Sequence, residues 1–251
     1  MPSSSGRASF RIRWLVAIVL SNSDPTGLLW AEPPTTWTSL SQPSSFAAWR
    51  EDHHGWKIIC DVSLNSDAPK QFAERQGRGV LVSKGDASNL ESREEYQDVD
   101  VRLEFTIPKQ SNAGVKLMGR YEIQILDTHD AKNLSGDSCG GIYPRAEQEA
   151  SYHHIDQGVP PRVNAAKAAG EWQSLEIEFI APRFDATGKK TSNAKFARVV
   201  LNHKLIHENV EVSAPTGAAW RLVSEVPRGP LLLQGDHGPV AFRNIQVRPR
   251  N

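Results

Sequence analysis

DVRLEFTIP, residues 100–108, sets Val101, Leu103, Phe105 and Ile107 against Arg102, Glu104 and Thr106. Side chains on a β-strand alternate between its two faces, so this spacing predicts a strand with one face in a core. Pro108 has no amide hydrogen for the ladder and ends it. The same period returns in LEIEFIAP, residues 175–182, where Leu175, Ile177 and Phe179 share a face and the glutamates turn to water. Strands dry on one side and wet on the other pack as two sheets, so the expected fold is an all-β sandwich.

Working outward, KIICDVSL (57–64), GVLVS (79–83), AGVKLMG (113–119) and YEIQILD (121–127) add further β-runs. FARVVLNHKLIHENVEV (196–212) reads as a hairpin, with Asn202 taking the positive φ of the turn. GPLLLQGDHGPVAFRNIQVRP (229–249) reads as two strands around GDHG. Its apolar alternation slips between Phe242 and Ile245, which predicts a bulge near Arg243. Residues 130–170 carry no periodic run. They read as a long ordered loop folded over a sheet edge or face, with helical turns at EQEASY and AAKAAG.

The chain has 251 residues, 39% of them hydrophobic and 23% charged, which suits a packed domain rather than a disordered chain. Lys+Arg and Asp+Glu stand at 29 each, so no basic excess asks for a nucleic-acid partner. Seven tryptophans would serve either a core or the flat faces of sugar rings. Arg7, Arg11 and Arg13 precede WLVAIVL, and GLLWA ends at Ala31. Residues 1–31 therefore read as a secretory leader and 32–251 as one domain, placed in the periplasm or outside the cell. SNSDPTG interrupts the apolar run, so an N-terminal tail is the other reading; neither apolar piece approaches the roughly 20 residues of a membrane span. Cys60 and Cys139 allow at most one bridge, and the spacing leaves open whether they meet. GDSCGG lacks the Lys-Ser/Thr of a phosphate loop, and neither GxSxG nor HExxH occurs.

Six ordered stretches carry a resemblance. SNLESREEYQDVDVRLEF, PKQSNAGVKLMGRYEIQILD, CGGIYPR, PPRVNAAKAAGEWQSLEIEFIAPRFDATGKK, LIHENVEV and GPLLLQGDHGPVAFRNIQVRP resemble the 3-keto-disaccharide hydrolase domain family, from about Trp56 to Arg250. The resemblance implies a concanavalin-like jelly roll of two curved antiparallel sheets with a concave polar face. It further implies cleavage of glycosidic bonds in sugars oxidised at C3, by hydrolysis or elimination.

In YEIQILD, Glu122 and Gln124 point to one face and Tyr121, Ile123 and Ile125 to the other. Glu122 is the first candidate for a catalytic base or a metal ligand, and Gln124 for a donor to a sugar hydroxyl. A solvated sheet face is the bland alternative. Asp127 falls on the apolar side unless the strand end turns it, and is a candidate acid, cation ligand or turn cap. Glu122 and Asp127, roughly 17 Å apart if extended, cannot form the pair of carboxylates a glycosidase holds about 5 Å or about 6.5–9.5 Å apart. A 3-keto sugar needs no such pair. Its carbonyl acidifies C2–H, so one base, one acid and a donor at the C3 oxygen suffice for elimination, and water added back completes a hydrolysis.

His237, between the glycines of QGDHG, is the leading histidine, since its loop lets backbone approach a ligand and imidazole exchanges protons near neutrality. Asn112, Arg120, Tyr143, Arg145 and Asn164 stand beside the family motifs as candidates to bind sugar. A divalent cation at the C3 oxygen is a further expectation, with no ligand set assigned. Two other functions stay open: a non-catalytic carbohydrate-binding module and an ordinary endo-β-glucanase.

Overall fold

The computed structural model describes residues 36–42 and 44–250, all within one compact unit; the leader expected at 1–31 lies outside the described residues. In chain order the elements are β1 (Thr38–Ser39), β2 (Lys57–Leu64), β3 (Phe72–Lys84), β4 (Leu90–Tyr96), β5 (Val99–Thr106), β6 (Asn112–Leu117), β7 (Tyr121–Leu126), β8 (Ala146–Glu147) and β9 (His153–His154). There follow β10 (Gln173–Ile180), β11 (Arg183–Phe184), β12 (Lys190–Ser192), β13 (Ala194–Leu201), β14 (Lys204–Val212), the single-turn helix α1 (Ala219–Leu222), β15 (Gly229–Leu233) and β16 (Pro239–Pro249).

The large sheet runs β14-β13-β10-β5-β16-β3-β2, with β1 beside β16, and the small one runs β4-β15-β6-β7. Every ladder between strands is antiparallel. This is the two-sheet jelly roll. Val101, Leu103 and Phe105 of β5 and Leu175, Ile177 and Phe179 of β10 meet Ala113, Val115 and Leu117 of β6 and Tyr121, Ile123 and Ile125 of β7 in one core. Full burial of side chains of this size contributes about 1.5–3 kcal/mol each.

Asn202 and His203 both take positive φ, 50° and 64°, and close the β13–β14 hairpin as expected. The β5–β16 register shifts between Arg243 and Gln246, with Asn244 at φ 52°, so the bulge sits where the alternation slips. GDHG does not close a hairpin: β15 lies in the small sheet and β16 in the large one, and the segment crosses between them.

The loop departs from expectation in detail. EQEASY forms no helical turn, because Ala146–Glu147 pairs with His153–His154 instead, and AAKAAG is irregular chain ending in a turn. Its placement is as expected. Gln124 N–H donates to Gly141 O (2.9 Å), Gly140 N–H to Gln124 O (2.8 Å) and Tyr143 N–H to Glu122 O (3.1 Å), so the loop runs along the free edge of β7. Cys60 and Cys139 are both free, and burial pushes the Cys139 thiol up to about 11. No helix among the described residues is long and apolar enough to cross a membrane.

Candidate functional site

Because Ala113, Val115 and Leu117 face the core, Asn112, Gly114 and Lys116 must face away from it. The antiparallel register sets Gly114 opposite Gln124 and Lys116 opposite Glu122. A polar stripe two strands wide therefore lies on the outer face of the small sheet. Folding of 130–170 over that face buries it: Glu122 is 3% exposed and Gln124 1%. What remains is an open cavity of about 580 Å³, within the range of small-molecule sites, about 300–1,000 Å³. Asn112, Lys116, Glu122, Gln124, Gln234 and His237 line it from the sheet side. Asp137, Tyr143, Tyr152 and His154 line it from the loop, and Thr216 to Ala219 close the rim.

Glu122 is held from three directions. Its N–H donates to Thr216 Oγ1 (3.1 Å), its carbonyl takes the Tyr143 amide, and Lys116 Nζ lies 3.2 Å from Oε2. Burial pushes its carboxyl above the ordinary range, while the Lys116 ammonium, and then His237, oppose that shift. Gly114 leaves room beneath it: a Cβ there would collide with the carboxylate and displace it. His237 is half-exposed, its Nδ1 2.6 Å from Asp236 Oδ1 and 3.2 Å from Gln234 Nε2.

The sequence expectations divide. Glu122, His237, Asn112, Gln124 and Tyr143 meet in the cavity. Gln124 does so with its amide nitrogen already donating to Asp137 Oδ1 at 2.7 Å. Asp127 does not line it: beyond the end of β7 it accepts the Gln110 N–H on Oδ2 (2.9 Å), capping a turn in which Gln110 has φ 59°. Arg120 sits in the β6–β7 turn and donates to the carbonyls of Ser224 (2.9 Å) and Met118 (2.7 Å), facing a different surface hollow. Arg145 pairs with Asp156 at 2.7 Å and lies over Trp220, in a neighbouring hollow. Asn164 is spent inside the loop, its amide nitrogen reaching the carbonyls of Thr128, His129 and Ala131.

Lys116, Gln234, Asp137, Tyr152, His154 and Thr216 line the cavity without having been singled out as site candidates. Lys116 was legible, because alternation along AGVKLMG puts it on the face of Asn112. Asp137, Tyr152 and Thr216 arrive through loop paths that no local pattern encodes. Of the adjacent pair His153 and His154, only His154 enters the cavity. Among the described residues no group of three or more His, Cys, Asp or Glu side chains gathers to hold a metal ion, so the expected cation has no ligand set there.

Residues 36–248 match the family model of the 3-keto-alpha-glucoside-1,2-lyase-like domain. Comparison with curated proteins found no match. Among solved structures, a candidate glycosyl hydrolase of Parabacteroides distasonis aligns with TM-score 0.58 and 20% identity over 90% of this chain and 95% of its own. A second from that organism gives TM-score 0.49 and 20% identity over 78% and 99%. At such identities the first likeness speaks for the fold.

Proposed function

This chain belongs to the 3-keto-alpha-glucoside-1,2-lyase-like domain family, and from that premise and its cavity we propose that it cleaves the glycosidic bond of 3-keto glycosides by elimination across C1 and C2. One observation carries the reading: a carboxylate 3% exposed, ion-paired at 3.2 Å, shares an open cavity with an imidazole anchored by its own aspartate. Glu122 takes the C2 proton. The electrons move toward the C3 carbonyl, where the Lys116 ammonium and the His237 N–H stabilise the growing negative charge. Collapse of the enolate expels the substituent at C1, and water added to the resulting double bond gives the free 3-keto sugar.

A carboxyl raised by burial suits this task, since a base gains strength as its pKa approaches the working pH. The Lys116 ammonium, 3.2 Å away, opposes that rise and favours the ionised form.

The test uses 3-keto-sucrose, 3-keto-trehalose and a 3-keto-β-glucoside beside their unoxidised parents. Only the keto forms should be cleaved. Glu122→Gln and His237→Ala should each lose about 10²–10⁴-fold in rate, and deuterium at C2 should slow the reaction or exchange with solvent. Retention of the original C2 hydrogen, with both variants fully active, would refute the mechanism. Equal cleavage of the unoxidised parents would refute the substrate class.

A further inference from the structure

With Asp127 capping a turn, elimination still lacks a group to protonate the departing oxygen, and the loop wall of the cavity offers one. Tyr152 Oη donates to Tyr143 Oη at 3.1 Å, and His154 Nε2 lies 3.0 Å from that same Tyr143 oxygen. The Tyr143 and His154 rings meet edge to face, 5.2 Å between centroids. All three side chains line the cavity that holds Glu122, on the wall formed by the covering loop. The carboxylate belongs to the floor, so a ring bound between them would meet a base on one side and a phenol on the other. Burial raises the Tyr143 phenol, so it rests protonated as an acid must. His154 is exposed, which gives the chain a contact with solvent protons.

We infer that Tyr143 is the catalytic acid that protonates the leaving glycosidic oxygen, and that His154 is the positioning residue that restores its proton. This rests on the elimination proposed above. Glu122 accepts the C2 hydron, the C2–H electron pair becomes the C1=C2 bond, and the C1–O pair leaves on the glycosidic oxygen. That oxygen takes the Tyr143 proton. The phenolate recovers one from Nε2–H of His154 as water delivers a proton to the other ring nitrogen, so the imidazole stays neutral.

The prediction is selective, because an acid matters only where the leaving group needs one. Tyr143→Phe should lose about 10²–10⁴-fold on 3-keto-trehalose, whose leaving sugar is a poor anion. On the 3-keto 4-nitrophenyl glucoside, whose phenolate departs unaided, it should lose less than about tenfold. His154→Ala should show the same bias with a smaller loss. C2 hydrogen exchange by Tyr143→Phe should persist, which reports a folded site with its base intact. Loss to the same extent on both substrates by either variant would overturn the inference alone. Failure of the wild type to cleave or exchange either keto substrate would overturn the elimination, and the inference with it.

Discussion

Glu122 places a carboxylate where water barely reaches it, and the consequence is a pH-dependent cost to folding. Burial raises its pKa in the folded state above the roughly 4.3 of an exposed glutamate. Between those two values the folded chain binds more protons at this group than the unfolded chain. Stability from this source is therefore greatest at low pH and falls as pH climbs through the raised value. Denaturant unfolding of the wild type and of Glu122→Gln over about pH 4–8 should give a difference that moves against the wild type as pH rises. A constant difference would mean the carboxylate is not desolvated. Alternation in YEIQILD was enough to find this residue and its neighbour Gln124. It could not reveal that Thr216, ninety-four positions away, would fix the strand beneath it.

At the scale of elements, the loop of residues 130–170 decides which polar residues line the cavity. Asp127 and Asn164 looked like chemistry because they stand beside motif residues, yet Asp127 accepts the Gln110 N–H at the turn before β6 and Asn164 bonds carbonyls of Thr128, His129 and Ala131. Asn164→Ala should lower unfolding free energy by about 0.5–1.5 kcal/mol, the net range for a typical hydrogen bond, since the carbonyls it holds are part-buried or exposed. Asp127→Ala should cost about 0.5–2 kcal/mol, as loss of a comparable cap does. Assayed below its melting temperature, each should keep cleavage within about tenfold of wild type, far from the loss expected of a removed acid or base. A loss of that larger size without destabilisation would return Asp127 to the reacting groups. Strands were legible here because period two is written locally. The helical turn expected at EQEASY failed because pairing of Ala146–Glu147 with His153–His154 overrode local propensity.

At the scale of the molecule, the tryptophans show the limit of composition. Trp49 and Trp56 are core, Trp37 stacks beneath Arg102 and Arg248, and Trp172 beneath Arg243. Trp220 lies between Arg145 and Arg221, so none of these five lines the cavity as a platform for sugar. Around Trp37, Asp100 holds both Arg248 and Arg250 across the outer face of the large sheet. From the arginine-bearing leader we propose export. Mature protein recovered from an extracytoplasmic fraction should begin near Glu32, and an intact leader on cytosolic protein would count against it. The loop that walls the cavity also occupies the backbone of β7, the last strand of its sheet. An unpaired strand edge is a template on which another chain can polymerise. Enclosure of the cavity and cover for an open strand edge are thus one feature, so loop changes that widen the entrance also bare the edge.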